Sequence, residues 1–178
     1  MVIGSNTTLR EYVTVNAATF DGDLTRVGDG CHIMAYAHIA HDCRVGNEVI
    51  MANCATLAGH VTIEDQAIIG GLSGVHQFVR IGRLSIIGGC SKVVQDVPPF
   101  LMTDGNPLAI RGLNKIGMKR KGFSDEALGE LKVCHRTVYR KDLSTSRALE
   151  ELDGLSLSTA EGLDFIRFIK ESERGITH

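Results

Sequence analysis

The sequence predicts a left-handed parallel β-helix, a hexapeptide-repeat solenoid, followed by a C-terminal α-helical domain. Three observations carry that prediction. From Val27 to Val93 every sixth residue is aliphatic or Met: Val27, Ile33, Ile39, Val45, Met51, Leu57, Ile63, Ile69, Val75, Ile81, Ile87 and Val93. A helix repeats at 3.6 residues and a strand at 2, so a strict six belongs to neither; it fits a chain in which each hexapeptide makes one short strand and one corner. Two residues before each aliphatic stands something small or β-branched, as at Cys31, Ala37, Cys43, Val49, Ala55, Val61, Ala67, Ser73, Val79, Ser85 and Ser91. Both positions suit a narrow triangular core, the larger residue filling the strand centre and the smaller one the corner. The residue after the aliphatic is often Gly or Ala, which a sharp corner favours. Three hexapeptides make one coil, so residues eighteen apart stack, and coils stabilise one another through backbone hydrogen bonds and a continuous apolar interior.

The elements follow in order. Ile3, Leu9 and Val15 keep the register upstream, and Phe20-Asp21-Gly22-Asp23 reads as a loop that interrupts it. Pro98 and Pro99 end the repeat, because neither has the N–H that a rung must donate. The expected division is residues 1–99 as the solenoid and 100–178 as the helical domain. In the latter, Ser124 caps a helix running to about Lys141, with Leu128, Leu131 and Val138 on one face. Ser144 or Thr145 opens a second helix ending near Gly154, and Thr159 opens a third with Leu163, Ile166 and Ile169 as its apolar stripe. Met1-Val2-Ile3-Gly4 starts in mid-pattern without a cap, whereas solenoid edges need one; upstream coils are therefore expected to be missing.

Composition predicts a soluble intracellular protein. Aromatics are 5% with no Trp, net charge is −2, and no apolar run is long enough to cross a membrane. A weakly acidic chain is not a general nucleic-acid binder. The five cysteines form no CxxC; Cys31 and Cys43 occupy the small-core slot, and all five read as reduced core residues.

Folded at eighteen residues per coil, the chain brings four of its seven histidines to one corner. His41 lies beneath Gly59 and Gly59 beneath Gln77; Asp42 lies beneath His60; His76 precedes Gln77, and His38 is on the approach. Histidines scattered on a surface have no function as a rule, but four on one corner in three successive rungs beside an Asp point to a site. A neutral imidazole is the usual general base near neutral pH, typically worth about 10²–10⁴-fold. Asp42 is placed to orient His41 and fix its tautomer, and the Gly59 amide, unshielded by a side chain, to donate to a developing oxyanion. Base, orienter and donor together indicate acyl transfer to a hydroxyl. No Ser or Cys stands with these histidines in a nucleophile motif, which favours direct transfer over an acyl-enzyme. The competing reading is a zinc site of the γ-class carbonic anhydrase kind, whose histidine spacing differs from His38-Ile39-Ala40-His41-Asp42 with Gly59-His60.

The segments AHIAHDC (37–43), ATLAGHV (55–61), GGLSGVHQF (70–78), IGGCSKVVQDVPP (87–99) and GLNKIGMKRKGF (112–123), and SERGI (172–176) at the end, closely resemble the UDP-N-acetylglucosamine O-acyltransferases of lipid A biosynthesis. The resemblance runs over essentially the whole chain. It implies a cytoplasmic enzyme of a Gram-negative bacterium, a homotrimer with active sites between neighbouring β-helices. That enzyme moves a 3-hydroxyacyl group from the phosphopantetheine of acyl carrier protein to the 3-hydroxyl of UDP-N-acetylglucosamine, with no metal or other cofactor. By the same resemblance His41 is the base, Asp42 its partner and Gly59 the oxyanion glycine. His38, His60, His76 and Gln77 line the sugar-nucleotide and thioester site, Asn114 and Arg120 bind the nucleotide, and Gly89 sets acyl-chain length. Two positions depart from the family: Lys121 stands where relatives often have a second Arg, and Ile116 where some are acidic. Relatives also carry several coils before the equivalent of Val2, so a truncated, non-catalytic trimeric β-helix is the alternative. Some relatives accept a 3-amino sugar, and the sequence does not separate oxygen from nitrogen acceptors.

Between Arg111 and Lys141 nine basic residues face three acidic ones, Asp125, Glu126 and Glu130. A positive face of this kind would steer an acidic carrier protein; the plain alternative is a solvated helix surface. Only Phe123 and Tyr139 interleave it, which argues against nucleic acid.

Overall fold

In the computed structural model, which describes residues 1–178, each hexapeptide contributes one two-residue strand, and the strands stack into three parallel sheets. The first sheet holds Val2–Ile3, Arg26–Val27, Arg44–Val45, Thr62–Ile63 and Arg80–Ile81. The second begins with Thr8–Leu9 and His32–Ile33, and the third with Thr14–Val15 and His38–Ile39. Above Arg26 the register is eighteen, as in Thr62↔Arg80. The lowest coil differs: Val2 pairs with Arg26, Thr8 with His32 and Thr14 with His38. That coil has twenty-four residues, because the loop around Phe20-Asp21-Gly22-Asp23 adds six at one corner.

The aliphatic and small positions both face inward. Val27, Ile33, Ile39, Met51, Leu57, Ile69, Ile81 and Ile87 are fully buried, as are Ala37, Cys43, Ala55, Val61 and Ala67. Burying one such aliphatic stabilises by about 1.5–3 kcal/mol. Ile3 and Leu9 hold the same inward positions in the lowest coil but are 37% and 40% exposed.

The corners turn by a device that the repeat did not disclose. The glycine after each aliphatic does not need an unusual φ. The left-handed residue comes two positions later and is seldom glycine: Tyr36, Asp42, Glu48, Cys54, His60, Gln66, Leu72, Phe78, Leu84 and Cys90 all have φ between 52° and 65°. A left-handed non-glycine residue costs roughly 1–2 kcal/mol. Each is held by an N–H bond to the coil below, as in Glu48 to Asp29 O and Gln66 to Asn47 O, both 2.8 Å. The glycines serve close approach instead: a Cβ at Gly28 would lie 2.5 Å from Gly46 O. The left-handed position also corrects the reading of the cysteines. Cys31, Cys43 and Cys134 are buried, but Cys90 is exposed and Cys54 partly so, because both occupy outward corner positions.

Pro98 and Pro99 end the hexads but not the sheet. Leu101–Asp104 pairs in parallel with Ile86–Ile87 and then antiparallel with Ala109–Leu113, closing the second sheet with a hairpin that periodicity did not predict. Four helices follow: α1 (Lys115–Arg120), α2 (Asp125–Arg140), α3 (Thr145–Asp153) and α4 (Ala160–Lys170). Ser124, Ser144 and Thr159 cap α2, α3 and α4 as expected, each accepting from the backbone N–H three residues on. Such a cap is worth about 1 kcal/mol. The stripe of α4 is Phe165, Ile166, Phe168 and Ile169, whereas Leu163 faces outward. The six residues of α1 are too few to leave a periodic signal in the sequence.

The helices form a second core with Leu84, Phe100, Leu101 and Leu113. Arg80 lies over the Phe168 ring at 4.5 Å, and Arg83 lies over Phe100 and Phe123 at 5.2 and 5.6 Å. The chain's end returns to the top of the solenoid. Buried Asp96 accepts from Arg80 N–H at 2.8 Å and from the Ser172 hydroxyl at 2.7 Å, and Thr177 N–H donates to Asp96 O at 2.8 Å.

Candidate active site

The histidine corner joins the third sheet to the first. His41, Asp42 and Cys43 follow Ile39, whose burial fixes which neighbours turn outward. Cys43 faces in, donates to Ala58 O at 3.1 Å, and burial pushes its thiol up to about 11. His41 and Asp42 face out. The ladder stacks His60 N–H on His41 O at 3.0 Å and Phe78 N–H on Gly59 O at 3.1 Å, so the rungs align as the spacing implied.

Asp42 Oδ2 lies 2.9 Å from His41 Nδ1 and 3.7 Å from His60 Nε2. The carboxylate is 7% exposed, while the two imidazoles are 46% and 40% exposed. Hydrogen bonds from His41 and then Thr19 hold the Asp42 carboxyl below the usual carboxylate range. The His41 and His60 rings meet edge-on at 5.2 Å, and His60 stacks on Phe78 at 4.7 Å. Gly59 lies against the His41 ring: a Cβ there would stand 2.5 Å from Cε1 and 2.6 Å from Nε2. Its N–H makes no hydrogen bond within the chain. A free donor thus sits beside the outward nitrogen of a carboxylate-held imidazole.

The remaining expected residues divide. His38 is one strand before the corner, its Nδ1 at 2.7 Å from the Thr14 hydroxyl. His76 and Gln77 are one rung above Gly59; His76 Nδ1 lies 3.2 Å from Gln77 O and 3.3 Å from the Arg174 guanidinium. Asn114, Arg120 and Gly89 do not join this corner. Asn114 is buried, capping α1 by accepting from Gly117 N–H at 3.0 Å and donating to Leu84 O at 2.9 Å. Its side chain thereby caps α1 and ties that helix to the Leu84 corner. Arg120 is exposed in the last turn of α1. Gly89 is exposed on the corner between the second and third sheets, where a Cβ would stand 3.3 Å from Gly71 O.

Four contacts escaped the sequence. Thr19 touches both members of the pair, Thr25 Oγ1 accepts the Asp42 N–H at 2.7 Å, Phe78 backs His60, and Arg174 reaches His76. Thr19 is hidden by the extra hexad of the lowest coil, and Arg174 by its distance along the chain. Only Phe78, eighteen residues after His60, had a spacing that would have revealed it.

The ligand atoms of His41, Asp42 and His60 fall within 4.8 Å of one another, the range of a metal triad. Asp42 Oδ2, the atom that would join them, already accepts from the Thr19 hydroxyl and faces His41 Nδ1. That donor set fits a hydrogen-bonded pair better than a cation. A cavity of about 1040 Å³ lies elsewhere, between α4 and Glu64, Asp65 and Arg83, and contains none of the histidines.

A solenoid of hexads with this pair on one corner defines a hexapeptide-repeat transferase, and residues 24–59 match the bacterial transferase hexapeptide family. Residues 96–177 match the second domain of UDP N-acetylglucosamine O-acyltransferases. An acyl-[acyl-carrier-protein]–UDP-N-acetylglucosamine O-acyltransferase from Synechocystis is 54% identical over 84% of this chain and 54% of its own length. One of the same name from Verminephrobacter eiseniae is 49% identical over 99% of this chain and 69% of its own. The LpxA structure from Acinetobacter baumannii superposes with a TM-score of 0.93 at 38% identity, over 99% of this chain and 69% of that one. The chain belongs to the UDP-N-acetylglucosamine O-acyltransferase family. It spans 54–69% of the length of these relatives.

Proposed function

We propose that this chain carries the catalytic corner of an acyl-[acyl-carrier-protein]–UDP-N-acetylglucosamine O-acyltransferase, the first step of lipid A biosynthesis. The observation that carries the reading is the His41–Asp42 pair at 2.9 Å with the free Gly59 amide beside the ring. His41 Nε2 takes the proton from the sugar 3-hydroxyl as that oxygen attacks the thioester carbonyl of a 3-hydroxyacyl carrier protein. Gly59 N–H stabilises the oxyanion, a contribution of about 10²–10³ in rate. The C–S bond then breaks, and the imidazolium returns its proton to the leaving thiolate. Asp42 orients the ring and stabilises its charged form. Transfer is direct, since Cys43, the thiol next to the pair, points into the core. No metal or other cofactor has a step in this scheme.

His38, His60, His76 and Gln77 line the substrate path above and below the base. The corner is convex, with Phe78 51% exposed, so one chain offers the acceptor no second wall. A homotrimer would supply one, bringing Arg120, the Asn114 region and Gly89 of neighbouring copies toward the histidines. Of the basic residues on α1 and α2, Lys115, Lys119, Arg120, Lys132, Arg136 and Arg140 are exposed and form no ion pair, a face suited to an acidic carrier protein. The corresponding location is the cytoplasm of a Gram-negative bacterium; no helix is long and apolar enough to cross a membrane. Division at residue 99 into solenoid and helical domains goes with this reading.

The test is transfer from a 3-hydroxyacyl carrier protein to UDP-N-acetylglucosamine, with His41→Ala alongside. Turnover that collapses in the variant supports the proposal. A folded, trimeric chain without turnover favours a non-catalytic β-helix. Gly89→Met should shift the acyl preference to shorter chains; an unchanged profile removes Gly89 from the acyl pocket.

A further inference from the structure

We infer that Thr19 is a positioning residue for the His41–Asp42 pair, fixing the imidazole tautomer that leaves Nε2 unprotonated. Its catalytic consequence rests on the acyl-transfer reading; its geometry does not. Thr19 lies in the six-residue excess of the lowest coil, and that loop lays it against the pair one rung above. Its Oγ1 is 2.8 Å from Asp42 Oδ2 and 2.9 Å from His41 Nδ1. A hydroxyl has one hydrogen, and a carboxylate can only accept. The hydrogen therefore goes to Asp42, and a lone pair faces the imidazole. His41 Nδ1 then meets two acceptors, Thr19 Oγ1 and Asp42 Oδ2, each at 2.9 Å. A nitrogen between two acceptors must carry a hydrogen, so the neutral ring has its free lone pair on Nε2. Without the Thr19 hydroxyl the carboxylate loses the donor that holds Oδ2 toward the ring and can turn away from Nδ1, which opens the second tautomer.

The same residue secures the carboxylate. Thr19 N–H lies 3.3 and 3.2 Å from Asp42 Oδ1 and Oδ2, while the hydroxyl of fully buried Thr25 holds the Asp42 backbone at 2.7 Å. Asp42 is left-handed, with φ 61°, and these bonds from the coil below fix that conformation. The loop that breaks the eighteen-residue register is thus the element that completes the catalytic pair.

Thr19→Val keeps the shape and removes the hydroxyl. Histidine-selective nitrogen NMR on the full chain, with the His41 signal identified by its loss in His41→Ala, should show the Nδ1–H tautomer in the native protein. Thr19→Val should give a mixture of tautomers, and Thr19→Ser should restore the native one. In the transfer assay kcat should fall by up to about a hundredfold with KM little changed, and the serine variant should recover most of it. An unchanged tautomer and unchanged kcat in folded Thr19→Val overturn the inference. Should valine disturb the loop, Thr19→Ala gives the same readings. A native chain without turnover counts against acyl transfer alone, since the tautomer shift still decides the role of Thr19.

Discussion

At the corner between the third and first sheets the left-handed positions hold Asp42, His60 and Phe78; at the next corner, six residues on, they hold Glu48, Gln66 and Leu84. The backbone is the same at both. What differs is how much of each side chain's bonding capacity the fold consumes. Glu48 pairs with Lys121 of the α1 C-cap at 2.6 Å and with Gln66 at 3.4 Å, and Leu84 is buried beneath the helical core. That corner is spent on holding helices. At the other, Nε2 of His41 and the amide of Gly59 are left free, and the one buried group, the Asp42 carboxylate, is there to steer a ring. A repeat can thus specify where side chains go while leaving open whether a corner is an anchor or a site.

The contrast predicts that substitutions at the two corners move different observables. His41→Ala should cost about 10²–10⁴-fold in turnover with an unaltered thermal midpoint; a large fall in midpoint would show the site corner to be structural as well. Leu84→Ala should do the reverse, losing about 3 kcal/mol of stability at native turnover per folded molecule, as read by denaturant unfolding. Gly59→Ala pushes a methyl into the His41 ring, a flexible side chain that can move, so stability should hold while turnover falls by about a hundredfold; native turnover would mean that the ring is free to tilt.

The smallest effect belongs to Glu48→Gln. The hydrogen bond from Lys121, more than that from Gln66, holds the Glu48 carboxyl below its ordinary range. A lowered folded value gives stability that is present above the unfolded value and lost as pH falls through the folded one. Because both partners are exposed, the variant should lose no more than about 0.5 kcal/mol near neutral pH. The difference should fade as acid protonates Glu48, and high salt should shrink it further. A loss that persists in acid would assign the contact to packing instead of charge.

The hexad was legible because burial leaves it no freedom: Ile33, Ile39 and Leu57 must face inward, and the stacking of Asp42 under His60 and of His41 under Gly59 follows by counting. The caps Ser124, Ser144 and Thr159 were legible for a similar local reason. What counting could not reach was set by loops or by tertiary partners. Thr19 meets His41 only because six residues are looped out beneath it. Leu163 fits the period of α4 as well as Phe165 does, and only the packing of α4 against α2 and α3 chooses between them. The role of Asn114 as the cap of α1 depends on a helix too short to announce itself.

The unequal coils have a further consequence, for how such a chain tolerates changes of length. Six residues looped out at a corner leave every later strand in its own sheet, as the pairing of Val2 with Arg26 and of Arg26 with Arg44 shows. The same six threaded into the wall as one more hexad would advance each later residue by one face and carry the histidines off their corner. Losing a single residue from the wall would turn the Ile39 and Leu57 positions outward. The solenoid therefore has a reading frame, and drift in its length is silent in two forms only: a bulge at a corner, or a whole turn of eighteen.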